Sequence, residues 1–591
     1  MKYCSTSFVF CLIHLAALSQ SYVFEKVQPL KPTDQHSSEA YIIASLLNRL
    51  HYNQLTFSDS VSSEIFDGYF DLLDPRRIYF LEDDILSFEN FRYRLDDQIT
   101  KGEISFAFDV YNLFRSRVID QLNDVFNSIH LEPDYTIDEN YHLSLYRIAW
   151  QASHEQKNDL WRKIIKNQAV DYKNEGLSWN DISEIVSLRL RSIGNAVLSH
   201  NSDYVFCKYM NAISQVFDPS TKYFLSPEKG KFDSNLNPFL ESGFDSLHYN
   251  GISNPFEFAS KTYEVDLDNE GYKLGVITVP NFYLDFDALS AGRQEYESAS
   301  NDVKKHLSAL IEEGIDGLML DLRFNGGGSL QEAIEMCGLF IPDGPVVQVR
   351  NYDQSLDTMD DEDGGVILYN GPLAILVNRG SAAASEVFCS AMQDYKRGVI
   401  LGESTYGKGS IQSIIDLKKY LRNPKVNPGY LKITLAKLYR VNGQNFQRIG
   451  VIPDVQFPSI YSQEDFGEAS RQNALPWDEI ASAKFKPTNT ISEELLDHLN
   501  TLYREDLNSD PDLQKLVRDI EKAKENRERK SVSLNLETRR AANEDDDDDL
   551  TTSIDDSEVS GADEIDEKLK KDPYLKEGLR LLAAMKKYKI G

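Results

Sequence analysis

Residues Asn378 to Gln412 read NRGSAAASEVFCSAMQDYKRGVILGESTYGKGSIQ. A short apolar stretch, Leu373 to Val377, precedes them and has the character of a buried strand. Asn378-Arg379-Gly380 supplies a turn, Ser381 to Ser385 are all small, and Val387, Phe388 and Met392 follow at helical spacing. The segment therefore predicts a strand, a tight turn and a helix start. Such a turn suits a nucleophile, because the free N–H groups and positive dipole end of the helix can hold an oxyanion. A second strand, Val399 to Gly402, leads into Thr405-Tyr406-Gly407-Lys408-Gly409, where flanking glycines let other backbone approach the lysine.

These residues resemble the signature of the C-terminal processing peptidases (peptidase family S41), and specifically the tail-specific protease branch. The pattern of that family is Ser-Ala-Ser-Ala-Ser-Glu, then Asp, then Thr-x-Gly-Lys-Gly and Gln. Here it reads Ser381-Ala382-Ala383-Ala384-Ser385-Glu386, Asp394, Thr405, Lys408 and Gln412. The resemblance implies a Ser–Lys dyad with Lys408 as general base, Asp394 as a positioning group and Gln412 as a further catalytic residue. It also implies oxyanion or site-shaping roles for Gly327, Gly328, Ala384, Arg323, Glu386 and Thr405. The family nucleophile is the middle serine, and this chain has Ala383 there. Alanine has no oxygen to attack with, and loss of one member of a dyad removes almost all of its rate. Ser381 and Ser385 are the alternative nucleophiles. Two positions along a first helical turn rotate a side chain by about 200°, so either would point away from Lys408 unless the loop slips. Cys389 reads as buried packing. Asp394 could equally pair with Arg397.

The chain has 591 residues, room for several domains, and is 41% apolar. A net charge of −31 argues against nucleic acid or an anionic membrane surface as partner. Thirteen acidic and no basic residues fall between Glu544 and Glu567, an insert that reads as solvated. Residues 1–19 read as a signal peptide: Lys2, an apolar run from Phe8 to Leu18, then a small-residue cleavage site. The run is too short to span a membrane, and nothing else resembles a transmembrane segment. Cys207, Cys337 and Cys389 remain after cleavage, too few for a disulfide framework.

Residues 38–227 read as a helical N-terminal domain punctuated by two Asp-Pro turns, Asp74-Pro75 and Asp218-Pro219. From 272 to 460, strands such as Gly317 to Leu322 alternate with helices, which predicts an α/β core. The Gly326-Gly327-Gly328 loop after that strand is the expected source of an oxyanion N–H. Residues 461–591 read as a helical C-terminal domain. The family has a PDZ domain near 228–271, but fewer than 30 residues separate Phe244 from Gly271, against the roughly 80 to 100 a PDZ domain needs. A remnant is expected there. The implied fold is multidomain α+β: a helical N-terminal domain, a crotonase-like (ClpP-like) peptidase core and a helical C-terminal domain.

The implied function is an exported, periplasmic serine-type peptidase homologue acting on unfolded or C-terminally exposed polypeptides, inactive as written because of Ala383. The alternatives are a pseudopeptidase that binds or scaffolds extended chains, or an active enzyme using Ser381 or Ser385. No cofactor or metal is expected. Polypeptide clients are the expected partners, with an envelope adaptor protein as a further one.

Overall fold

The computed structural model describes residues 23–25, 28–226, 258–285, 288–289, 291–293, 296–361, 365–421, 428–547 and 572–590. The expected signal peptide, the Leu240 to Phe244 segment and most of the acidic insert lie outside the described residues.

Six longer helices build the N-terminal region: α1 (Asp34–Leu50), α2 (Asp59–Leu73), α3 (Ser105–Ser128), α4 (His154–Asn174), α5 (Trp179–Ser199) and α6 (Ser202–Phe217). Polar caps start five of them: the side chains of Thr33, Ser58, Ser153, Ser178 and Asn201 each accept a first-turn N–H. Phe66, Tyr69, Phe70, Phe106 and Tyr209 fill the core between them. Both Asp-Pro turns are held by their aspartates. Asp74 accepts the N–H groups of Ile78, Tyr79 and Phe80 at 2.8–3.0 Å, and Asp218 those of Ser220 at 2.6 Å and Thr221 at 3.1 Å. Strand β1 (Asn140–His142) pairs with β13 (Ser531–Ser533), and β2 (Lys222–Phe224) with β11 (Tyr430–Tyr439), so this region is sewn to later chain at its middle and at its end.

The core holds two sheets. One has the order β12-β9-β8-β5-β4-β3, with β3 Ala259–Leu267, β4 Glu270–Thr278, β5 Gly317–Asp321, β8 Leu373–Val377, β9 Val399–Gly402 and β12 Val455–Gln456. All its pairs are parallel except β3 with β4. β5 and β8 are buried along their whole length, as a parallel sheet covered on both faces requires. Alternate residues serve the two faces. Leu318, Leu320, Leu373 and Ile375 pack against α7 (Ala299–Glu312), α8 (Leu330–Gly338) and α9 (Ala384–Asp394). Met319, Ala374 and Leu376 pack against the C-terminal helices. The other sheet is antiparallel, β10-β11-β6-β7, with β6 Gly344–Asn351, β7 Leu356–Asp361 and β10 Ser410–Asp416.

An edge strand, β3, extends the parallel sheet back to Ala259, ahead of residue 272. The C-terminal part comprises α10 (Glu493–Ser509), α11 (Pro511–Glu528), α12 (Leu536–Asp547) and α13 (Pro573–Ile590). It does not stand apart from the core: Leu579, Leu582 and Met585 of α13 and Leu495 and Leu499 of α10 form the second cover of the sheet.

Candidate active site

The loops after β5, β8 and β9 leave the carboxyl ends of three neighbouring parallel strands, the place where open α/β sheets hold their ligands. Short hydrogen bonds stitch the first two together. Asn378 Oδ1 accepts the Phe324 N–H at 2.9 Å, and the Asn325 carbonyl accepts the Ala382 N–H at 2.9 Å. Ser381 Oγ donates to the Leu322 carbonyl at 2.8 Å and Ser385 Oγ to the Asn325 carbonyl at 2.9 Å. Both serines are fully buried, so their hydroxyls are structural bridges facing away from open space.

Ala383 lies between them, half-buried, at φ 52° and ψ −108° as the N-cap of α9. A left-handed conformation at a residue with a Cβ costs ~1–3 kcal/mol and persists only where its surroundings impose it. Glu386 is the constraint. Its carboxylate, fully buried, accepts the Ala383 N–H at 2.8 Å, the Thr405 hydroxyl at 2.5 Å, the Gly407 N–H at 2.6 Å and the Lys408 N–H at 2.8 Å. Ala383 and Lys408 share the same oxygen, so their backbone nitrogens lie no more than twice 2.8 Å apart. Burial pushes the Glu386 carboxyl up to about 7, against the pull of those four donors. Thr405 Oγ in turn accepts the Val451 N–H at 2.6 Å.

The glycine loop closes over this turn. A Cβ on Gly327 would sit 2.9 Å from both the Ala382 oxygen and the Ala383 Cβ, so only glycine fits there. The Gly327 N–H is taken by Asn325 Oδ1 at 3.0 Å. The Gly328 and Ala384 N–H groups have no partner among the described residues. Of the two glycines read as oxyanion donors, Gly328 is the one with a free N–H. Lys408 is half-buried, and its Nζ makes no hydrogen bond or ion pair among the described residues. A cleft of about 950 Å³ is lined by Leu330, Ile334, Val349, Met359 and Ile411 among others; Leu330 follows the glycine loop by two residues and Ile411 follows Lys408 by three.

The structure thus gathers Ala383, Ala384, Glu386, Thr405, Lys408, Gly327 and Gly328. Gln412 is nearby on β10, its Nε2 donating to Ser410 Oγ at 2.9 Å and Thr434 Oγ at 3.2 Å. Two residues are not gathered. Asp394 ends α9, eleven residues and roughly 16 Å of helix from Ala383. It binds Arg440 at 2.5 Å and Asn442 at 3.0 Å, not Arg397. Arg323 turns away from the site into a buried bridge with Asp321 at 2.7 Å and Asp572 at 2.8 Å. Cys389 is buried, and burial pushes its thiol well up, as expected of packing. Sequence reasoning read the Asn378 turn but gave neither Asn325 nor Asn378 a role in the site. Each follows a buried strand and precedes a glycine within two residues, an Asx-turn pattern that could have marked both.

Residues 42–228 match the family model for the tail specific protease N-terminal domain, 273–457 that for peptidase family S41, and 461–587 that for the C-terminal domain of tail specific protease. The chain is similar to a tail-specific protease of Haemophilus influenzae, 30% identical over 92% of this chain and 89% of that one. It is also similar to a chloroplastic carboxyl-terminal-processing peptidase 2 of Arabidopsis thaliana, 32% identical over 29% of this chain and 31% of that one. Among solved structures, a photosystem II D1 C-terminal processing protease matches 51% of this chain and 94% of its own, at 19% identity and a TM-score of 0.32.

Proposed function

The chain belongs to the tail-specific protease family, and on that premise we propose that it engages extended polypeptide in an assembled peptidase site that lacks its nucleophile. One observation carries the reading: Ala383 keeps the strained turn beside the free Gly328 and Ala384 N–H groups, with Glu386 joining that turn to the Lys408 loop. In a serine form, the oxygen on position 383 would attack a peptide carbonyl and pass its proton to the Lys408 amine. The two N–H groups would hold the oxyanion. Without that oxygen the site can hold a chain and orient a carbonyl, but no acyl-enzyme forms. What speaks against Ser381 or Ser385 as substitutes is that each hydroxyl is buried and donates to a backbone carbonyl.

The alignment with the Haemophilus relative covers 635 positions, more than the 591 residues of this chain, so the relative carries segments without a counterpart here. A reduced PDZ segment within 228–271 agrees with that. We place the protein in the periplasm, on the strength of its first 19 residues. Mass spectrometry of the exported protein is expected to find a start near Gln20 or Tyr22, and a mature pool retaining Met1 refutes export by cleavage.

The deciding experiment compares the chain with Ala383→Ser on an unfolded protein substrate. The serine form is expected to cleave, and Lys408→Ala to abolish that cleavage. Cleavage by the unaltered chain that vanishes in Ser385→Ala or Ser381→Ala overturns the assignment of position 383. A serine form that stays inert leaves a binding protein rather than a one-atom loss of an enzyme.

A further inference from the structure

Strand β7 is the outer edge of the antiparallel sheet: β6 pairs with it on one side, and no strand does on the other among the described residues. Asp357 to Asp361, in unbroken succession, all line the cleft described above. Successive residues of a strand face opposite sides of its sheet, so the cleft runs along the open edge of β7 rather than over one face. Such an edge presents unpaired N–H and C=O groups, which an extended chain can satisfy by adding a strand. Among the described residues, no backbone hydrogen bond outside the pairing with β6 occupies Leu356 to Asp360. The floor of the cleft is apolar, with Ile334, Leu339 and Val349 buried and Met359 half-buried. Its rim is acidic. Glu335, Asp357 and Asp360 line it, against Lys304 as the cation. None of these three carboxylates forms an ion pair among the described residues: Asp357 accepts from the Asn351 amide at 2.7 Å, and Glu335 from the Gln331 amide and the Ser300 hydroxyl, each at 3.0 Å. Asp361 turns inward, where a Cβ on Gly338 would sit 2.6 Å from both its carboxylate oxygens.

We propose that this cleft selects extended polypeptide by charge: a segment laid along the open edge of β7 seats an apolar side chain on the Ile334 and Met359 floor, and its neighbouring Lys or Arg side chains meet Asp357, Asp360 and Glu335. The inference rests on the reading that the chain engages extended polypeptide, and it names the class that is taken. Complementary charge on a partly enclosed rim adds to specificity more than to raw affinity, and it fades with salt. Acidic side chains on an open edge also repel the edge of another copy. The two roles part on what binds: repulsion alone gives no preference between peptides of opposite charge that depends on Asp357 and Asp360.

The unaltered chain, with no nucleophile at position 383, serves for a binding test by fluorescence anisotropy. The probe is a labelled, unstructured peptide with one leucine flanked by two lysines in a serine-glycine background. It is compared with forms carrying glutamate for lysine, serine for leucine, or N-methyl groups on the flanking amides. The lysine peptide is expected to bind about tenfold or more tighter than the glutamate peptide at low salt, with the gap closing at high salt. The serine and N-methyl forms are expected to bind about tenfold more weakly than the lysine peptide. Asp357→Asn with Asp360→Asn, at two exposed positions, is expected to cut the preference for lysine to about twofold or less. Glu521→Gln with Glu525→Gln, at exposed positions of α11 outside the cleft, removes the same formal charge and is expected to leave the preference unchanged. Equal binding of the lysine and glutamate peptides overturns the charge selection and leaves the engagement of polypeptide standing. So does a preference that survives the Asp357 and Asp360 changes, or one that falls equally in the α11 variant. Undiminished binding of the N-methyl form overturns the strand addition, and binding of none of the peptides overturns this proposal and the engagement reading together.

Discussion

Ala383 occupies a left-handed position that a side chain disfavours, and no nucleophile remains to need it. The turn holds because Glu386 and the Asn325 and Asn378 side chains impose it from outside, so deleting one oxygen does not release it. The same bonds assign the neighbouring serines to structure. Ser385→Ala removes a buried donor to the Asn325 carbonyl, which keeps its bond from the Ala382 N–H. It is therefore expected to cost about 1–2 kcal/mol in urea unfolding, and to leave cleavage by the Ala383→Ser chain in place. Activity lost without stability loss would make Ser385 a participant. At this scale the sequence was legible wherever chemistry repeats a pattern: Lys408, Glu386, Thr405 and the glycines all meet. It did not show where Asp394 and Arg323 would bind, because a residue's spacing in a motif does not say which end of a helix it occupies or which way it turns. Both are charged groups that found partners, Arg440 and Asp572, on distant chain.

The strands and helices that carry the site could be read from apolar runs, since Leu373 to Val377 and Gly317 to Leu322 are buried on both faces and so carry no polar interruption. The role of the last helix could not. α13 looks like an amphipathic surface helix, and its place under the parallel sheet depends on close fits such as Gly317 against Leu582 and Gly578 against Met319, which no local pattern encodes. Its seam with α10 is titratable. Glu577 faces Asp506, with Arg580 bound to Asp506 at 2.7 Å. Burial first, then the Asp506 charge, pushes the Glu577 carboxyl up to about 8, so it is protonated at neutral pH and shares its proton with Asp506. A carboxyl raised in the folded state contributes most below its unfolded value near 4.5, and that contribution falls as pH rises to about 8. Melting temperature is expected to decline over that window, and Glu577→Gln to flatten the decline. An unchanged slope in the variant would place the titration elsewhere.

The whole molecule is held together by chain that returns. β2 brings the N-terminal region onto β11, β13 crosses back to β1, and α13 closes the sheet that residues 259–456 begin. The domain order was legible because each part has its own pattern, but not these returns, whose partners lie hundreds of residues apart. The most consequential is the buried triad at the start of α13. Arg323 follows β5 by two residues and opens the loop that ends in Gly327 and Gly328, and it forks between Asp321 and Asp572. One cation between two carboxylates leaves a net negative charge, so the two sides are not equivalent. Asp572→Asn leaves Arg323 paired with Asp321 and is expected to cost only about 1–2 kcal/mol. Arg323→Met leaves two carboxylates facing each other without a cation and is expected to cost about 3–5 kcal/mol. It should also detach the start of α13 and disorder the glycine loop, so that hydrogen exchange rises in residues 322–328 and 572–582 together. Equal costs for the two variants, or exchange rising in only one segment, would mean that the triad does not couple the closing helix to the oxyanion loop.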